Sequence, residues 1–193
     1  MTQTEKEYCP TTLKAVNLAQ RLNAGGFSTR VLNNTISINE CKFSMSENHK
    51  HIEKDALHYF FPADINEDAA YQAISSLAKY NFEKRIANDI MDMVLSLGVS
   101  RANKGYIYLI EAIEICVKDY DKVFSIIKEV YSEIAQKHNA TACQVERGIR
   151  TAINSAFEEN PDAVRKLFKR PIISPTNSEI IAEIADTVIR KYR

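Results

Sequence analysis

Residues 131–157 carry the clearest pattern of apolar and polar positions in the chain: a helical stretch, a short break, and a second helix with opposed faces. In that second helix Val145, Ile149, Ala152, Ile153, Ala156 and Phe157 recur on a period near 3.6 residues and form one stripe. Gln144, Arg147, Arg150, Thr151 and Asn154 fall on or near the opposite face, with Glu146 on a flank. Thr141 and Gln144 have the spacing of a capping box, in which the hydroxyl takes an orphan N–H and the amide reaches back. The break at His138, Asn139 and Ala140 has the length that turns one helix across another in a helix-turn-helix. Such a helix can present guanidinium forks to guanine N7 and O6 in a major groove. The same pattern also fits two ordinary amphipathic helices with a solvated basic face.

The period continues on both sides. Residues 83–97 place Ile86, Ile90, Met93, Val94 and Leu97 on one stripe, with Gly98 as the stop. Residues 106–117 are apolar on most sides and predict a central helix. Residues 122–137 predict one continuous supporting helix whose buried face is Val123, Ile126, Ile127, Val130 and Ile134. Beyond Phe157, Asn160 and Pro161 open a short helix as cap and first residue, ending near Phe168. Asn177 or Ser178 is then expected to cap a final helix running to about Ile189.

The first eighty residues change period. A polar start precedes an apolar-striped helix over 11–23, closed by Gly25 and Gly26. Residues 27–32 and 35–39 alternate around Asn33-Asn34, which predicts a hairpin because asparagine tolerates positive φ. Residues 41–45 read as the second strand continued past a bulge. A polar tip follows at 46–55, and 56–61 form another strand stopped by Pro62. Asp64 and Glu67 suggest a capping box opening a helix to about Tyr80. The fold class expected is mainly α: a small α+β domain of order α-β-β-β-α over 1–81, then a six-helix domain with the helix-turn-helix over 82–193. A short junction is expected at Asn81-Phe82.

Charge narrows the function classes. The 193 residues hold 25 basic and 25 acidic side chains, so affinity for nucleic acid has to come from a local patch. Cys9, Cys41, Cys116 and Cys143 lie far apart with no CxxC pair, a pattern of reduced thiols in a cytosolic protein. No apolar run is long enough to span a bilayer, and the start of the chain lacks a signal-peptide core; the expected location is the cytoplasm. His49, His51 and His58 gather around one loop, but a zinc site needs three or four well-placed ligands. The nearby thiol, Cys41, would have to fold back onto them, so a solvated hairpin tip is expected. No Gly-rich phosphate loop and no convergent nucleophile and base appear. No metal, cofactor or enzymatic activity is expected.

Four blocks, in order, carry a resemblance. They are Lys104–Leu109 (KGYIYL) followed by Glu111, Ala112 and Ile113; Ile134, Ala135, Gln136 and Lys137; Thr141 and Ala142 with Val145, Glu146, Arg147, Ile149 and Arg150; and Pro175, Thr176, Asn177, Ser178 and Glu179. Over about residues 86–193 the chain resembles the C-terminal DNA-binding effector domain of the stage 0 sporulation protein A family. The resemblance implies an all-helical domain whose helix-turn-helix reads a TGTCGAA-like element in double-stranded DNA, usually as a tandem dimer. By position it implies that Glu146, Arg147 and Arg150 face bases and nearby phosphates. Cys143 and Gln144 stand where the family usually carries other polar or basic residues.

The first eighty residues are not expected to form the family's receiver domain. A phosphoacceptor receiver needs roughly 120 residues of alternating β and α with an acidic Mg²⁺ pocket. The α-β-β-β-α order is shared with double-stranded RNA-binding domains, but in topology alone.

The expected function is therefore a sequence-specific DNA-binding transcription regulator, acting as a homodimer, with RNA polymerase sigma factor as a candidate partner. Its first domain would serve dimerisation or sensing. The expected DNA-facing residues are Gln144, Glu146, Arg147, Arg150, Thr151 and Asn154, with Lys137 and Lys104 on phosphates. Lys166, Lys169 and Arg170 are further phosphate candidates. The alternative is an antagonist that pairs with a full-length sporulation regulator without productive DNA binding.

Overall fold

A computed structural model describes residues 10–45, 57–168 and 170–192. The polar start of the chain, the polar tip with His49 and His51, Cys9 and Lys169 lie outside the described residues. The chain forms two compact units, Met1–Glu83 and Lys84–Arg193.

In the first unit, α1 (Pro10–Ala24) turns Ala15, Leu18, Ala19 and Leu22 inward. It stops where Gly26 takes φ +90°, with the Phe27 N–H reaching back to the Leu22 carbonyl at 3.0 Å. Four strands follow: β1 (Thr29–Leu32), β2 (Thr35–Ile38), β3 (Cys41–Met45) and β4 (Leu57–Phe61), in the order β1-β2-β3-β4. The first three are antiparallel neighbours, and β4 runs parallel to β3 with Phe43 opposite Tyr59.

The strand count corrects the three-strand reading. Cys41–Met45 is not β2 continued past a bulge: Asn39 adopts φ 54°, as Asn33 does at φ 55°, and Asn39-Glu40 is a second tight turn. The parallel β4 also separates this sheet from the topology of a double-stranded RNA-binding domain. Phe43 is fully buried at the centre and stacks on Tyr59 with ring centroids 5.4 Å apart. His58, the one member of the histidine group within the described residues, bonds Ser44 Oγ through Nε2 at 2.7 Å and stacks on Phe60.

The helix α2 (Glu67–Ser96) differs from expectation at both its start and its middle. Its cap is Asn66, whose Oδ1 accepts from the Asp68 and Ala69 N–H groups at 2.9 and 3.2 Å; Asp64 lies too early. No break occurs at Asn81-Phe82. Asn81 is buried and donates to the Leu77 carbonyl at 2.8 Å and the Tyr59 hydroxyl at 2.9 Å, which is mid-helix bonding and not a cap. No glycine or proline interrupts the 30 residues, so nothing ends the ladder before Gly98 at φ 89°.

The second unit is helical. α3 (Lys104–Lys118) packs against α5 (Ala142–Glu159) and α7 (Asn177–Tyr192) and is the central helix the sequence predicts. The supporting segment is not one continuous helix. A 3₁₀ stretch (Tyr120–Ser125) and a π-helical stretch (Ile126–Val130) precede a short α4 (Tyr131–Lys137). The wider π turn shifts the phase of the stripe, so Ile126, Val130 and Ile134 are buried while Ile127 is 64% exposed. The α6 helix (Pro161–Leu167) is capped by Asn160 Oδ1, which accepts from the Ala163 N–H at 3.2 Å. Asp89 of α2 accepts from Lys191 at 2.5 Å and from the Tyr192 hydroxyl at 2.6 Å, fixing the end of α7. Among the described residues no helix is long and apolar enough to cross a membrane.

Candidate nucleic-acid interface

Two helix ends build the turn between α4 and α5. His138 is the C-cap of α4, and Asn139 takes φ 50° beyond it. The Ala140 N–H then bonds the Ala135 carbonyl at 2.9 Å, closing a Schellman-type end that reverses the chain within a few residues. Thr141 restarts the helix. Its Oγ1 accepts from the Gln144 N–H at 3.2 Å, and Gln144 Oε1 accepts from the Thr141 N–H at 2.8 Å. Both halves of the capping box therefore form.

The turn is also anchored from below. Glu111 of α3 accepts from Lys137 at 2.7 Å and bonds His138 Nε2 at 2.8 Å. The Glu111 carboxylate beside it raises the Lys137 ammonium above its ordinary value. Tyr108 meets the His138 ring edge-on, centroids 5.1 Å apart.

The seating of α5 explains the glycine inside it. A methyl group on Gly105 would come within 2.1 Å of the Gly148 carbonyl oxygen and 2.9 Å of Ala152 Cβ. The α3 and α5 backbones thus cross almost in contact, and Gly105 is the residue that allows it. Gly148 is less constrained: its added Cβ would meet the Tyr108 ring at 3.2 Å and Gly105 Cα at an ordinary contact distance of 3.7 Å.

This seating buries Val145, Ile149, Ala152, Ile153 and Ala156 and leaves the other face outward. Gln144, Arg147, Thr151 and Asn154 are exposed along one stripe. Gln144 is engaged in the cap, and Thr151 donates to the Arg147 carbonyl at 2.9 Å. Arg147 has no side-chain partner among the described residues, so its guanidinium is available to a ligand. Arg150 is exposed too but pairs with Glu146 one turn back.

The remaining phosphate candidates are scattered. Lys104 is exposed at the start of α3, next to the glycine crossing, whereas Lys137 is held by Glu111. Lys166 is exposed on α6, and Arg170 pairs with Glu179.

Two contributors were missed. Thr176, and not Asn177 or Ser178, caps α7: its Oγ1 accepts from the Glu179 N–H at 3.2 Å, and its N–H donates to Glu179 Oε2 at 2.9 Å. The Thr-x-x-Glu spacing of 176–179 is the signal for it. Asn177 is buried instead and donates to the Glu146 carbonyl at 3.1 Å, tying α7 to the outward helix. The second, Glu111, had no signal of its own in the periodicity.

An all-helical unit presenting one helix of a helix-turn-helix, with an outward arginine and polar stripe, has the build of a DNA-binding module. A family model described as "Sporulation initiation factor Spo0A C terminal" matches residues 90–188, just over half of the chain. The chain belongs to that family, a family of DNA-binding effector domains of sporulation regulators and not of enzymes.

Proposed function

We propose that the second unit is a sequence-specific reader of duplex DNA and that α5 is its recognition helix. The observation that carries this reading is Arg147: exposed in the middle of the outward stripe, on a helix seated by a formed capping box, without a protein partner among the described residues. In this reading Arg147 donates bidentately to guanine O6 and N7, and Glu146 accepts from cytosine N4. Arg150 leaves Glu146 for a phosphate or a second base. Gln144, Thr151 and Asn154 line the groove, and Lys104 and Lys137 hold the backbone. The element read resembles TGTCGAA, in tandem copies met by a homodimer of a cytoplasmic regulator. The first unit serves dimerisation or sensing in place of a phosphoacceptor receiver, and sigma factor is the partner through which transcription would be activated.

The test is binding of the full chain to a duplex with two TGTCGAA-like elements against a scrambled duplex, across a salt series. Specific affinity ~10³-fold or more above the scrambled site is expected. Arg147→Ala should cost ~1–3 kcal/mol at the cognate site and relax discrimination at one base pair. Undiminished binding by that variant would remove Arg147 from the reading. Equal affinity for both duplexes, vanishing as salt rises, would leave nonspecific phosphate contact and favour an antagonist that pairs with another regulator.

A further inference from the structure

One side chain on the outward face of α5 has only half of its hydrogen-bonding chemistry free. Gln144 is exposed in the first turn, and its Oε1 accepts from the Thr141 N–H at 2.8 Å and from the Thr141 hydroxyl at 3.3 Å. Chemistry sets the orientation of the amide: a backbone N–H needs an acceptor, so the carbonyl faces Thr141 and the NH₂ group is turned from it. A carbonyl oxygen has two lone pairs, and Thr141 engages both. The Nε2 group has no protein partner among the described residues. Gln144 therefore presents N–H donors to its surroundings and no acceptor.

That restriction decides which base it can read. A free glutamine pairs with adenine through two bonds, its carbonyl accepting from N6 and its NH₂ donating to N7. Held in the capping box, Gln144 can make only the second. Reaching adenine N6 with the carbonyl would mean leaving Thr141 and opening the start of α5. A donor-only group suits guanine, whose N7 and O6 are both acceptors. It suits cytosine least, because the major-groove edge of that base shows an amino donor. Position favours contact as well. The N-terminal residues of a recognition helix are the ones that meet base edges. Gln144 precedes Arg147 by three residues on the same exposed stripe, about 4.5 Å along the helix axis. The step from one base to the next is close to this, roughly 3.4 Å.

We propose that Gln144 is a specificity-determining residue that reads guanine through its NH₂ group alone, at the base pair beside the one met by Arg147, while its carbonyl stays with Thr141. The box that starts α5 thus also sets the polarity of one base contact. This rests on α5 being the DNA-reading helix and adds to that reading which base one of its side chains selects.

The full chain is bound to duplexes with two TGTCGAA-like elements in which each position in turn carries each of the four base pairs. Affinities are compared within each position, so a uniform loss cancels. In the parent, the position that depends on Gln144 should favour guanine over cytosine by about tenfold or more, with adenine between them. Gln144→Glu closes the same box and suits a helix N-terminus, so the thermal midpoint should hold. Its outward atom is an acceptor in place of a donor. At that position the preference should therefore turn from guanine to cytosine, by about tenfold or more, with the other positions unchanged. Gln144→Ala should flatten the same position. Loss of the fold in one variant leaves the other to locate the position, since alanine removes the side-chain half of the box and glutamate keeps it.

A parent that favours adenine at the position Gln144 controls would show the carbonyl released from Thr141 and would overturn the proposal. Base preferences unchanged in both variants would overturn it too, leaving Gln144 to the cap alone while the DNA-reading proposal stands. Equal affinity of the parent for every duplex would sink the DNA-reading proposal and this one with it.

Discussion

The two units bury their apolar faces in different ways. In Lys84–Arg193 the closest approach is backbone to backbone: α3 crosses α5 at Gly105 and Gly148, and the core spreads over six helices and the 3₁₀–π segment. In Met1–Glu83 the core is smaller, and one large ring, Phe43, sits between β2, β4 and the helices, stacked on Tyr59 and Phe61. A spread core tolerates the loss of one side chain but not an intrusion at its tightest crossing. A small core built on one ring is the reverse.

Removing the ring is the hardest blow to the smaller unit. Phe43→Ala is expected to cost about 3–5 kcal/mol, comparable to the whole stability of a small domain. The amide resonances of the sheet and α1 should collapse while those of α3 to α7 keep their dispersion. Collapse of both sets together would break the comparison, because the two units would then fold as one.

Intrusion is the corresponding test of the helical unit. Gly105→Ala places a methyl group against the Gly148 carbonyl, a backbone atom that moves only if the helices separate. A loss of about 3 kcal/mol, at the upper end for overpacking, is expected in denaturant unfolding. Gly148→Ala sharpens the contrast. Its neighbour is the Tyr108 ring, which can shift by a few tenths of an ångström, and alanine gains about 1 kcal/mol in helix propensity. Net change within about 1 kcal/mol of zero is expected. Equal damage from both glycines would show that the crossing is not the tight point.

The same contrast governs what could be read from the residues. Where helices bury one stripe, the period carried the answer: the α5 face, the Thr141–Gln144 box and the Asn160–Pro161 start all follow from local spacing. Where the outcome depended on long-range pairing, it did not. Asn39 is as good a turn signal as Asn33, but only its pairing partners distinguish a hairpin from a bulge. The burial of Asn81 inside α2 depends on a hydrogen bond to Tyr59 from another element. The π turn that exposes Ile127 leaves no local mark, because its extra residue per turn is set by what Ile126 and Val130 pack against. For the interface, spacing gave the outward face but not every partner that restrains it. Lys137 is tied to Glu111 by a contact between helices that periodicity does not weigh, whereas Glu146 and Arg150 have the i,i+4 spacing of a pair on one helix face.

The weakest expected effect lies at the cap of α7, where the structure places the Thr176–Glu179 box. The Glu179 carboxylate is held below the usual range, first by the Thr176 N–H and then by the Thr176 hydroxyl, with Arg170 adding to it. A carboxylate with a lowered folded pKa contributes stability above its unfolded pKa of about 4.3, and that contribution is lost as pH falls through the lowered value. Glu179→Gln keeps an acceptor for the Thr176 N–H and loses only the charge, which at 35% side-chain exposure solvent screens. A cost below about 1 kcal/mol at neutral pH is therefore expected, constant from about pH 8 down to pH 5. Below about pH 4 the parent and variant curves should converge. A gap that persists at low pH would assign the cap's contribution to shape and hydrogen bonding, with no part for the charge, and would place the end of α7 beside the α3–α5 crossing as a feature of packing alone.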